Sequence, residues 1–129
     1  MTNHLGPATI LIVEDDALTR VAAVHIIETN GYLALSASNA EDAMATLCTH
    51  EEVDVLFTDV SMPGRMDGLE LAKEASIIYP RVGIVVTSAL ARSLDQIPNG
   101  ATFLPKPYTR DDIAGVLQSM IDPSRPLAC

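Results

Sequence analysis

Apolar residues gather in five short runs, at residues 9–13 (TILIV), 32–37 (YLALSA), 53–58 (VDVLFT), 82–86 (VGIVV) and 101–105 (ATFLP). Runs of this length, rich in β-branched residues and bounded by turn formers, predict strands. Between them the spacing changes to a helical period. Residues 17–29 place Leu18, Val21, Ala22 and Ile26 on one predicted face, and Gly31 stands where a helix would end. Ser38 or Asn39 caps a second helix running to about Cys48, with Glu41 and Asp42 in its first turn, where the helix dipole favours acids. Residues 67–78 predict a third, with Leu69, Ala72, Ala75 and Ile78 on one face and Pro80 beyond its end. Residues 109–121 give the clearest pattern, with Ile113, Val116, Leu117, Met120 and Ile121 at i, i+3, i+4, i+7 and i+8. The stretch from Ala89 to Gly100 has room for a short or irregular helix before Pro98-Asn99-Gly100.

Strand and helix thus alternate. Near-continuous apolar strands separated by helices predict an α/β domain with one doubly wound, five-stranded parallel sheet and helices on both faces. Right-handed crossovers constrain its winding. The predicted organisation is an extension at 1–8, one domain at 9–122 and a tail at 123–129. Pro123 and Pro126 close the last helix, and nothing beyond Asp122 reads as a linker; Met1 and these prolines favour a stand-alone chain over a domain cut from a larger protein.

The chain has 129 residues, 48% hydrophobic and 19% charged, which fits one domain with one core. No apolar run approaches the roughly 20 residues of a membrane span. No basic region followed by an apolar stretch marks a secretory signal at the N-terminus. Cys48 and Cys129 are far apart and match no metal spacing, so a reducing cytoplasm is the expected setting. Seventeen acids against eight Lys and Arg give a net charge of −9. The basic residues are scattered, so direct nucleic-acid binding is not expected.

In sheets of this class the functional crevice lies beyond the carboxyl ends of the strands. Glu14, Asp15 and Asp16 follow the first strand, Asp59 the third, Thr87 and Ser88 the fourth, and Lys106-Pro107 the fifth. If the first and third strands are neighbours, several carboxylates converge. Their repulsion requires protons, a cation or Lys106 to offset it. Carboxylates without His or Cys suit Mg²⁺, with Asp15, Asp59, Glu14 through a water and a backbone carbonyl after Asp59 as the candidate ligands. His25, on a helix packing against the sheet, reads as structural, and His4 and His50 as terminal or loop residues. Cys48 reads as core.

Together these residues resemble the receiver domain of two-component response regulators: Glu14-Asp15 after ILIV, Asp59 followed by MP and then DG, Thr87-Ser88 after IVV, and Lys106-Pro107-Tyr108. The match spans about residues 9–121. It implies the strand order 2-1-3-4-5. It implies that Asp59 accepts a phosphoryl group from phosphohistidine on a sensor histidine kinase or a histidine phosphotransfer protein. Asp15 and Asp59 would hold Mg²⁺, helped by Glu14 and the backbone carbonyl of Ser61. Lys106 would pair with a phosphoryl oxygen, and Thr87 would hydrogen-bond the bound group. The Lys106-Pro107 bond resembles one that is cis in the family. Phe103 matches an aromatic that turns inward when Thr87 moves, although a strand phenylalanine serves equally as core.

The resemblance further implies a downstream protein target, no nucleic acid or membrane contact, and a monomer or weak homodimer. Such a module is a phosphoacceptor that phosphorylates and slowly dephosphorylates itself, not a turnover enzyme. The alternative is a receiver-like interaction module independent of phosphorylation. A phosphatase with an Asp-x-Asp nucleophile loop is disfavoured by Glu14-Asp15-Asp16-Ala17, and a flavin site by three acids where a phosphate would sit. The loop after Asp59, MPGRMDG, is one residue longer than in many receivers and resembles those of hybrid kinases. Gly64 and Arg65 are expected to bulge there, with Arg65 solvated or meeting a partner or phosphoryl group.

Overall fold

The computed structural model describes residues 6–62, 64–89 and 97–128. Among these, β1 (Thr9–Val13), α1 (Ala17–Thr29), β2 (Leu33–Ala37), α2 (Ala40–Thr49), β3 (Val53–Asp59), α3 (Gly68–Ile78), β4 (Gly83–Ser88), β5 (Thr102–Pro105) and α4 (Arg110–Met120) follow in order. The sheet is parallel with strand order β2-β1-β3-β4-β5, as expected from the sequence. The helix expected between β4 and β5 falls largely on residues 90–96, outside the described residues.

Two cores form because both faces of the sheet are covered. Alternation along the strands divides them: Leu11, Val13, Leu56 and Val86 face α2 and α3, while Ile10, Ile12, Val55, Phe57 and Val85 face α1 and α4. Every residue of β1 is buried, so its run carries no polar alternation. Helix starts are set by side chains. Asp16, Asn39, Asp67 and Thr109 each accept a hydrogen bond from a backbone N–H three residues on. Gly31 lies just beyond α1 at φ +91°, a conformation that favours glycine.

The helix faces depart from the predicted ones. In α1 the buried residues are Ala23 and Ile27, whereas Leu18 is 83% exposed and Val21 65% exposed. This helix is apolar nearly all round, so periodicity selects no face, and the small Ala23 allows close approach to the sheet. Ile78 is exposed because α3 ends there. Cys48 is exposed, not core: it lies one step, about 100°, around α2 from the buried Leu47.

At the amino ends of the strands the chain closes on itself. The β1–β3 register shifts between Thr9 and Ile10, which pair with Val53 and Val55. Asp54 is the residue left over, and its carboxylate is turned to other work. It accepts from the Thr9 backbone N–H at 2.9 Å and from both terminal nitrogens of Arg125 at 3.1 and 3.3 Å. Arg125 Nε also donates to the Gly6 carbonyl. The segment carrying Arg125 continues over α1's end, where Ala128 N–H donates to the Gly31 carbonyl and Leu127 packs on Gly31.

Candidate functional site

The opposite, carboxyl end of the sheet holds the acids. Strand order places β1 beside β3 and β4 beyond it, so the residues that end these strands meet. One carboxylate oxygen each from Glu14, Asp15 and Asp59 lies within 4.8 Å of the others. At that separation two full charges repel by about 3 kcal/mol at a surface-like dielectric. Lys106 supplies the balancing charge from the end of β5: its Nζ is 2.8 Å from Asp59 Oδ2 and 3.3 Å from Glu14 Oε1.

The surroundings decide how each group is held. Glu14 is buried, Asp59 half-buried and Asp15 exposed. Burial pushes the Glu14 carboxyl above its ordinary value; the backbone N–H of Asp16 opposes this, and the Asp59 charge adds to it. Burial works against the charge on Lys106. The hydrogen bond and charge of Asp59, then those of Glu14, outweigh it and raise the lysine above its usual range. Lys106 is fixed by its backbone as well, since its N–H donates to the Ser88 carbonyl. The Lys106-Pro107 peptide bond is cis. Tyr108 stands beyond it, its ring edge-on to Phe57 at 5.8 Å between centroids.

Thr87 is buried and pairs in register with Asp59. Its carbonyl accepts from Val60 N–H, which ties the loop after Asp59 to β4. Phe103 pairs with Val86, one residue before Thr87; it is half-buried and, among the described residues, joins neither core cluster. The Ser61 N–H donates to Asp59 Oδ1 at 3.3 Å. Gly68 starts α3 where a Cβ would fall on the Asp59 carbonyl oxygen, so glycine at 68 is a steric requirement of this loop's return path.

Glu14, Asp15, Asp59 and Lys106 are therefore brought together, with Thr87 beside them on β4 and Phe103 one strand further out. Two contributors escape sequence reasoning. Arg20 reads as one of several scattered bases, yet its guanidinium donates to the Glu14 carbonyl at 2.8 Å and braces the acidic turn. Glu41 reads only as a first-turn acid of α2, yet it accepts from the Arg65 backbone N–H across 24 residues of sequence. Nothing in local spacing reveals either contact. The donor set is all oxygen, from three carboxylates, which fits a hard divalent cation.

Comparison with known proteins agrees with this arrangement. A family model for the response regulator receiver domain matches residues 10–118. The response regulator receiver protein CpdR of Brucella abortus is 34% identical over 116 residues, covering 87% of this chain and 95% of that protein. Sporulation initiation phosphotransferase F of Bacillus subtilis is 29% identical over 117 residues, covering 87% and 92%. The sensor kinase CckA of Brucella abortus is 30% identical over 126 residues, which are 94% of this chain but 13% of the kinase. The chain likewise spans only 24% of the transcriptional regulator NtrC of Proteus hauseri. Among solved structures, the chemotaxis protein CheY4 of Vibrio cholerae superposes with a TM-score of 0.81 at 23% identity, over 90% of this chain and all of that one, a likeness of fold. With strand order, strand-end residues and family match in agreement over most of its length, the chain belongs to the response regulator receiver domain family.

Proposed function

We propose that the chain is a phosphoacceptor module of a two-component or phosphorelay system, with Asp59 as the acceptor. The observation that carries this reading is the meeting of Asp59 with two further carboxylates and one lysine at the strand ends. Asp59 Oδ2 is held 2.8 Å from Lys106 Nζ, which orients the carboxylate. In the transfer, an Asp59 oxygen attacks the phosphorus of a phosphohistidine. A P–O bond forms to the carboxylate, the P–N bond breaks, and its electron pair leaves on the imidazole. Positioning and charge neutralisation supply most of the catalysis in such a step.

Glu14, Asp15, Asp59 and the Ser61 carbonyl would hold Mg²⁺, which when bound neutralises charge on the transferring group. The chain's own part follows. Lys106, now shared between Asp59 and Glu14, turns its charge to a phosphoryl oxygen. Thr87, at the end of β4, donates its hydroxyl to another oxygen. The added charge of about −1.5 to −2 gives that hydroxyl a reason to move. Phe103, half-buried beside Val86, would follow it inward and alter the β5 edge for a downstream protein.

The donor is a protein that covers this rim, since its phosphohistidine must reach Asp59 in line. Leu18 and Val21 of α1 are exposed there, beside a groove of about 470 Å³ lined by Ala22, Ile26, Lys106, Pro107 and Tyr108. A helical kinase or phosphotransfer domain fits such an apolar ridge. The setting is cytoplasmic in this reading, and the module acts once per donor encounter rather than as a turnover enzyme.

The test is the intact mass after incubation with acetyl phosphate, with and without Mg²⁺. Wild type gains one phosphoryl group only with Mg²⁺, and Asp59→Asn gains none. Equal labelling of Asp59→Asn would overturn the assignment.

A further inference from the structure

The loop after Asp59 is held at its tip by a residue from another helix. Arg65 N–H donates to Glu41 Oε2 at 3.2 Å. Gly64, at φ +117°, turns the chain so closely that a Cβ there would lie 3.3 Å from Glu41 Oε1. Both oxygens of Glu41 thus face the segment that carries the loop's additional residue. Glu41 itself is fixed in the first turn of α2, which Asn39 caps through the Asp42 N–H at 2.7 Å. Glu41 and Gly64 border an open cavity of about 600 Å³ whose inner wall includes Asp15. The loop's other described anchors lie nearer its base: Val60 N–H bonds to the Thr87 carbonyl of β4, Gly68 N–H bonds to the Val60 carbonyl, and Met62 is buried in the core. Among the described residues, Glu41 is the anchor of the loop's Gly64–Arg65 tip.

We propose that Glu41 is a positioning residue for phosphoryl transfer: its carboxylate latches the Gly64–Arg65 turn to α2 and keeps the cavity beside Asp15 open to metal and donor. The inference rests on the receiver reading above. Released, the turn is free to lean over that cavity, because nothing else among the described residues bonds to the Arg65 amide. Glu41→Ala removes both the acceptor and a negative charge near Asp15. Glu41→Gln removes the same charge but keeps an amide oxygen able to accept from Arg65 N–H. The difference between the two variants therefore isolates the latch from the electrostatics.

The experiment takes the full chain in three forms: wild type, Glu41→Ala and Glu41→Gln. Three quantities are read from each: hydrogen exchange at the Arg65 amide without metal, Mg²⁺ affinity by amide-shift titration, and the phosphorylation rate with acetyl phosphate. In Glu41→Ala, Arg65 exchange rises about fivefold, and Mg²⁺ affinity and the phosphorylation rate each fall about fivefold, the scale of one lost hydrogen bond. Glu41→Gln stays within about twofold of wild type in all three. Wild-type behaviour of Glu41→Ala in exchange and Mg²⁺ affinity would overturn the latch. So would a Glu41→Gln as impaired as Glu41→Ala, since charge would then be the whole effect. If wild type accepts no phosphoryl group while Arg65 exchange and Mg²⁺ affinity still separate the two variants, the latch stands and the phosphoacceptor reading fails.

Discussion

The two ends of the sheet each bury acid against base, in opposite proportion. At the amino end, among the described residues, Asp54 meets Arg125, with side chains 13% and 12% exposed. Its two oxygens take the Thr9 N–H and both terminal nitrogens of the guanidinium. At the carboxyl end, Glu14 and Asp59 share Lys106 with a third carboxylate, Asp15, beside them, three acids to one lysine among the described residues. A balanced, multiply bonded pair closes a structure. An acidic excess held by one lysine stores a demand for further positive charge, which a divalent cation and then a phosphoryl group can rearrange. The fold tolerates the second arrangement because the amino end and the two cores hold the strands in place.

The largest effect on stability is expected at the balanced end. Arg125→Met takes the guanidinium from Asp54 and removes the bond to Gly6, costing about 2–3 kcal/mol, the scale of breaking a buried pair. Urea unfolding measures it, and acetyl phosphate labelling of the folded variant stays at the wild-type rate. A loss under about 0.5 kcal/mol would place the pair with surface ion pairs and erase the contrast.

Lys106→Met comes next. Without metal it costs about 1–2 kcal/mol, because partly buried carboxylates lose their only described cation, while the lysine's own desolvation cost is relieved. Saturating Mg²⁺ restores that stability and binds more tightly than in wild type, since a competing charge has gone. The pH dependence has a fixed sign. The lysine's folded pKa is raised, so its contribution is fully present below the ordinary value near 10.5 and is lost as pH rises through the higher folded value. The gap between wild type and variant closes over that range.

The smallest effect concerns Asp16, which caps α1 beside the acidic pocket. The Thr19 hydroxyl and then its backbone N–H hold the Asp16 carboxyl below its ordinary 3.8. Its contribution is present above 3.8 and is lost as pH falls through the lower folded value. Thermal melts of Asp16→Ala against wild type should differ at pH 5 and converge in stronger acid.

The same contrast governs what the sequence discloses. Strands, their order by resemblance, and the chemistry at their carboxyl ends are legible, because buried runs and runs of acids are local signals. Asn39, Gly31 and Asp67-Gly68 are legible as punctuation for the same reason. The amino-end clamp is not. Asp54 reads as a polar interruption of a strand and Arg125 as a tail residue, and only the β1–β3 register shift brings them together. The face of α1 is not legible either, because Leu18 and Val21 outweigh Ala23 in any hydrophobic pattern although the alanine makes the contact. Glu41 escapes because its partner is a backbone N–H, which no residue type announces.

The central claim is that Asp59, and no other carboxylate of the crowded pocket, carries the phosphoryl group. Borohydride reduction of the phosphorylated chain, followed by peptide sequencing in a mass spectrometer, tests it directly, because reduction converts an aspartyl phosphate to homoserine. Homoserine at position 59, with Asp15, Asp16 and Glu14 unchanged, is the predicted result. Reduction at another acid, or none in a chain whose intact mass has risen by one phosphoryl group, would contradict the account.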